Sequence, residues 1–198
     1  MTSLRERKKA ETRQRIADVA TALFVARGFD AVTVAEVAEA AGVSKVTVFN
    51  YFPRKEDMFF DRLPQARDLL TAAIRDRAAG ESPVAALRRL FVELAEQGHP
   101  LGGFEDRYVR FWHTLLASPA LRARAREALD EVEAHLADLL TGLDPRPRLT
   151  AALALAAFRA VYQESAGRLL AGEPAADVTP DHIAAVRRAF DTLAEGLR

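Results

Sequence analysis

Cysteine is absent from this chain of 198 residues. With it go disulfide bridges, thiolate zinc sites and cysteine nucleophiles. Long apolar runs are absent too. The longest, Ala151 to Phe158, is far too short to span a bilayer. The N-terminus lacks the apolar stretch of a signal peptide, so we expect a cytosolic protein with no membrane partner. Net charge is also missing: 28 basic side chains face 28 acidic ones, and bulk charge points to no polyanion. No convincing strand alternation, internal repeat, Gly-rich phosphate loop or nucleophile motif is found. No cofactor is expected. One Glu-x-x-His pair, Glu96-Gln-Gly-His99, has the spacing that di-metal bundles use. It contains Gly98, abuts Pro100 and has no second copy, since Glu131 and His135 are four apart. A helical-bundle enzyme or metal protein is therefore the minor alternative.

What is present is helix. At 49% hydrophobic, the chain suffices for one good core, or for a small domain and a larger one. Ile16, Val19, Ala20, Leu23 and Phe24 form an amphipathic stripe, stopped by Gly28. Thr33-Val-Ala-Glu36 is a capping box, with the hydroxyl accepting the third amide and the carboxylate reaching back. The helix it opens buries Val37, Ala38 and Ala41. Gly42 permits a tight turn, and Ser44 caps a short helix that ends before Pro53. Ser82-Pro83, Ser118-Pro119 and Thr179-Pro180 read as three further helix starts. Pro64 reads as a kink in a helix that begins near Lys55.

Two short helices joined at Ala41-Gly42-Val43 make a helix-turn-helix pattern over about residues 33–52. In the second of them Val48 and Phe52 face inward with Val43. Lys45, Thr47, Asn50 and Tyr51 then face outward, where a recognition helix meets base edges. Thr47 offers a hydroxyl and a methyl, Lys45 a cation for guanine or phosphate, and Tyr51 and Lys55 reach phosphates. Residues 1–15 hold Arg5, Arg7, Lys8, Lys9, Arg13 and Arg15 against Glu6 and Glu11. This arm is either a solvated basic tail or a DNA contact.

Residues 12 to about 58 resemble the TetR/AcrR family of bacterial transcriptional regulators. The resemblance is carried by "RIADVATALFVARGFDAVTVAEVAEAAGVSKVTVFNYFPRKEDM": the Gly28-Phe29 turn, Thr33, the VAEVAEAAGVS run and YFPRKED. It implies an all-α homodimer that reads a palindromic operator with residues 1–56. Residues 57–198 would form a helical bundle for effector binding and dimerisation. It also implies a regulator rather than an enzyme, a repressor released by a small, largely apolar ligand, with an activator as the alternative. Carried over residue by residue, the DNA contacts are Thr33, Ser44, Lys45, Val46, Thr47, Phe49, Asn50, Tyr51 and Lys55. Val46 stands where the family often has glycine, and Asn50 where it often has histidine, tyrosine or tryptophan.

The remaining two thirds agree with that family in helical make-up alone. Ile183, Val186, Phe190, Leu193 and Leu197 are spaced 3, 4, 3 and 4. This narrow seam suits a partner helix across a dimer, or packing within one chain. Phe91, Phe104, Tyr108, Phe111, Trp112 and His113 gather in one stretch, and Phe158, Arg159, Tyr162 and Gln163 in a later helix. They are the candidate lining of an effector pocket, or plain core.

Overall fold

The structure, a computed structural model, describes residues 4–197; the outermost ends of the two expected domains, residues 1–3 and 198, lie outside them. Among the described residues every regular element is helical. The chain forms two compact units, Met1–Asp61 together with His113–Arg126, and Arg62–Trp112 together with Glu127–Arg198.

The first unit begins with α1 (Leu4–Arg27). The basic arm is thus the opening turns of a helix, not an extended tail. α2 (Val34–Ala40) and α3 (Lys45–Tyr51) follow, then α4 (Lys55–Phe59). Gly42, at φ 66°, makes the turn between α2 and α3, a conformation open to glycine at no steric cost. Ile16, Ala20 and Phe24 of α1 are buried with Val37, Val48, Phe52, Met58 and Phe59. Phe24 meets Phe29 edge-on at 4.9 Å and Phe59 at 6.4 Å. Each such side chain contributes about 1.5–3 kcal/mol relative to exposure. α4 packs on α1, so the unit closes at Asp61 rather than at the expected residue 56. The segment 113–126 belongs here through two polar ties. Ser118 Oγ donates to Asp30 Oδ1 at 3.1 Å, and the buried Arg124 Nε donates to Asp57 Oδ1 at 2.8 Å.

The second unit contains α5 (Leu63–Arg75), α6 (Pro83–Glu96), a 3₁₀ turn at Asp106–Tyr108, and the long helices α9 (Pro147–Leu170) and α10 (Ala175–Gly196). α7 (Val109–Ala117) and α8 (Pro119–Leu140) have residues in both units. The core joins Leu70 and Ile74, Leu87 and Phe91, Leu136 and Leu140, Ala151 and Ala154, and Val186 and Phe190.

Three expectations need correction. Pro64 does not kink a long helix. That helix is broken at residues 60–62, and Pro64 lies in the first turn of α5, where its missing N–H leaves no bond unmade. Thr179-Pro180 does not start the last helix. α10 begins at Ala175, whose N–H is taken by Asp106 Oδ1 at 2.8 Å; Pro180 sits inside, and the Thr179 hydroxyl donates to the Ala175 carbonyl. A cap supplied from another part of the chain overrides the local signal. Finally, of the two readings of the α10 seam, the structure shows the packing within one chain. Val186 and Phe190 are fully buried in the unit's own core, and Ile183, Leu193 and Leu197 pack against the same cluster. α6 and α9 cover that stripe.

Candidate nucleic-acid interface and effector site

α3 is a seven-residue helix that presents apolar side chains to solvent. Val46 is 69% exposed and Phe49 50%, while Val48 and Phe52 anchor the opposite face in the core. A monomeric surface scatters its exposed apolar residues; two on one short helix, beside Lys45 and Asn50, form a contact face. Ser44 caps this helix. Its Oγ accepts the Thr47 N–H at 3.1 Å and lies 2.8 Å from the Thr47 hydroxyl. One of these two hydroxyls donates to the other, so one hydroxyl proton stays free for an outside acceptor. Tyr51 is half-buried and borders an open groove of about 650 Å³ with Arg5, Glu6, Lys8, Lys9 and Thr12. Basic side chains of α1 therefore line the same depression as the end of α3. Arg13 turns inward instead, with its guanidinium 4.7 Å over the Phe52 ring and a bond to the Asp61 carbonyl.

Thr33 holds the start of α2. Its N–H and hydroxyl both donate to Glu36 Oε2 at 2.8 Å, and its hydroxyl accepts the Glu36 N–H at 3.2 Å. These two Thr33 bonds, and then Arg27 at 2.7 Å, pull the Glu36 carboxyl down to about 2. The Thr33 side chain is exposed, but its proton is engaged in the cap. Lys55 is the further departure. Its Nζ donates to the Phe29 carbonyl and stands 4.1 Å over the Phe29 ring. Burial lowers its pKa. Its ammonium is tied to the Gly28-Phe29 turn rather than offered to solvent.

In the second unit the expected aromatic residues divide. Phe91 stacks on Phe158 at 3.9 Å, Phe158 neighbours Tyr162 at 5.5 Å, and Trp112 lies 5.5 Å from Tyr162. Phe111 meets Trp112 edge-on. Tyr108 donates its hydroxyl to the Gly98 carbonyl. Arg159 and Gln163 are exposed, and His113 is exposed and belongs to the first unit; none of the three joins the ring cluster. Phe104 of the expected gathering does join it, and so does His182, which sequence reasoning missed. Phe104 stacks on Tyr162 at 4.7 Å, and His182 faces Phe104, Phe158 and Tyr162. His182 had a readable signal: with Val178 and Val186 it repeats every four residues on the buried face of α10. Among the described residues no three His, Asp or Glu side chains gather as a metal site, and no helix is long and apolar enough to cross a membrane.

A capped helix-turn-helix with an exposed, mixed polar and apolar second helix defines a DNA-reading protein. The sequence profile described as "Bacterial regulatory proteins, tetR family" matches residues 16–61. Thermus thermophilus FadR, a TetR-family transcriptional repressor solved with lauroyl-CoA, is 31% identical; the match covers 94% of this chain and 95% of that one, at a TM-score of 0.55. TcmR of Streptomyces glaucescens, an HTH-type transcriptional regulator, is 29% identical over 171 residues, covering 81% of this chain and 76% of that one. NalD of Pseudomonas aeruginosa shares the fold, with a TM-score of 0.60 at 20% identity over 92% of this chain and 96% of that one. The chain belongs to the TetR family of bacterial transcriptional regulators. It is a DNA-binding regulator, not an enzyme.

Proposed function

We propose that the protein is a cytoplasmic, homodimeric repressor that reads a near-palindromic operator and leaves it when a small, largely apolar effector binds. The observation that carries this reading is α3, capped by Ser44 and exposing Val46 and Phe49 beside Lys45 and Asn50. In the major groove Val46 and Phe49 pack on thymine methyls, and Asn50 and the free hydroxyl of the Ser44–Thr47 pair reach base edges or phosphate. Lys45, Tyr51 and the basic residues of α1 hold the backbone. Thr33 serves chiefly to fix the start of α2, because its N–H and its hydroxyl are both engaged by Glu36.

The effector reading rests on the ring cluster of the second unit. Apolar walls with few polar groups suit a small, mostly apolar ligand, and FadR is a repressor solved in complex with a small molecule, lauroyl-CoA. Repression follows when the operator overlaps a promoter. For the dimer, the seam on α10 is occupied, so the proposal moves to the outer face of α9. There Leu149, Leu153, Ala156 and Ala160 are exposed at spacings of 4, 3 and 4, the periodicity of a helix–helix contact. Footprinting of the purified protein on DNA flanking its own gene tests the reading. The expected result is one protected palindrome of two half-sites. Uniform, sequence-independent binding would refute it.

A further inference from the structure

His182 is completely buried. Its Nδ1 lies 3.0 Å from Ser165 Oγ, which is buried as well. Its Nε2 has no hydrogen-bond partner. Buried imidazoles ordinarily pair both nitrogens, so this atom calls for a physical account. Ser165 fixes the tautomer. If its hydroxyl donates to Nδ1, only the ring N–H on Nε2 is left unpaired; the opposite tautomer leaves both the hydroxyl proton and the Nε2 lone pair unpaired. Nε2 is therefore a donor.

That donor sits among aromatic rings. Phe104, Phe158 and Tyr162 stand at 83°, 73° and 84° to the imidazole, with centroids 4.8, 6.4 and 5.8 Å away. An N–H against aromatic faces is a second-order contact, so an oxygen acceptor improves on it. The neighbouring rings already stack nearly parallel: Phe91 with Phe158 at 13°, and Phe104 with Tyr162 at 27°. Flat, unsaturated surfaces are what such walls accept. Burial holds the imidazole neutral, its pKa pushed down to about 4, and keeps the Tyr162 phenol protonated. A neutral site favours an uncharged ligand. Access also has a feature on the surface. An open groove of about 700 Å³ runs past Gly98, Glu105 and Ala175, and Phe104 is the wall it shares with the cluster.

We propose that His182 is the polar reader of the effector site, and that the effector is a planar, uncharged, unsaturated molecule whose carbonyl-type oxygen accepts the Nε2–H while its rings stack among Phe104, Phe158 and Tyr162. This rests on the reading that the second unit takes an effector. Trp112 is the chain's one tryptophan and lies 5.5 Å from Tyr162, so its fluorescence reports occupancy.

The test titrates the full chain with 9-fluorenone and with fluorene, which share a flat tricyclic skeleton and differ in the carbonyl. Fluorenone should bind about tenfold more tightly, the weight of one net hydrogen bond. His182→Phe should abolish that preference and keep fluorene binding. Where His182→Phe does not fold, the imidazole ¹H–¹⁵N spectrum of the unaltered protein decides: the Nε2 proton should shift downfield with fluorenone and not with fluorene. Equal affinities, or a preference that survives His182→Phe, overturn the role of His182 and leave the effector site standing. Failure of both probes to bind or to quench Trp112 overturns the effector site, and this inference with it.

Discussion

Two lysines ten residues apart carry the same charge and occupy opposite situations. Lys45 is exposed on α3, whereas Lys55 donates to the Phe29 carbonyl and covers the Phe29 ring. Lys45→Met should leave stability unchanged and reduce the slope of log K against log salt by about one. Lys55→Met should leave that slope unchanged and cost on the order of 1–2 kcal/mol of unfolding free energy, from one carbonyl bond and one cation–π contact. Urea titration and DNA binding at several salt concentrations separate the two. A reduced salt slope in Lys55→Met would show that the ammonium leaves Phe29 for a phosphate. His182 supplies a second prediction at this scale. Its folded pKa, about 4, lies below its ordinary value of 6.5, so between these values the unfolded chain binds the extra proton. The stability His182 provides is full above pH 6.5 and is lost as pH falls toward 4, by at most on the order of 3 kcal/mol. His99 is shifted the same way by burial, so the comparison must be with a variant. His182→Gln should show a smaller loss of urea midpoint between pH 7 and pH 5 than the unaltered protein. Identical losses would mean that folding does not lower the His182 pKa.

At the scale of elements, the segment 113–126 is joined to the DNA-reading helices by Arg124–Asp57 and Ser118–Asp30. Asp57 also accepts the Arg54 N–H at the start of α4, so one carboxylate both caps a helix and anchors a distant segment. Arg124→Met should cost about 3 kcal/mol, the usual price of breaking a buried ion pair on one side, measured by urea unfolding. A change below about 1 kcal/mol would place the pair among surface contacts. None of this was legible in the sequence, because residues 57 and 124 meet only through the tertiary fold. Helix starts were legible where the cap is local: Thr33 with Glu36, Ser44, and Ser82 before Pro83 all cap as their spacing requires. The reading failed where a distant group decides. Asp106 moves the start of α10 upstream of Thr179-Pro180. The α10 stripe was legible as a stripe, but a 3-4 spacing does not say which helix covers it. The aromatic residues were legible as a group; their inward or outward sense was not, so His182 was missed and Arg159 and His113 included.

At the scale of the whole molecule, the proposed dimer is what would turn one recognition helix into a reader of a palindrome. A twofold dimer places two copies of α3 on half-sites about one helical turn apart, roughly 34–36 Å. The α10 seam and the α9 face predict different outcomes for two substitutions. Phe190 is fully buried, so Phe190→Ala should cost about 3–5 kcal/mol of stability, with self-association lost only as the chain unfolds. Leu153 is already 40% exposed, so Leu153→Glu should leave the fold intact. It puts no charge in the core, but it sets a carboxylate against its symmetry mate on an apolar face. Sedimentation should then show a folded monomer. That monomer should bind an isolated half-site with unchanged affinity and the full operator on the order of 10²–10⁴-fold more weakly, because linkage of the two reading heads is lost. A Leu153→Glu protein that remains dimeric, with full operator affinity, would remove α9 from the interface. A monomeric one that keeps full operator affinity would instead remove the dimer from the mechanism of DNA reading.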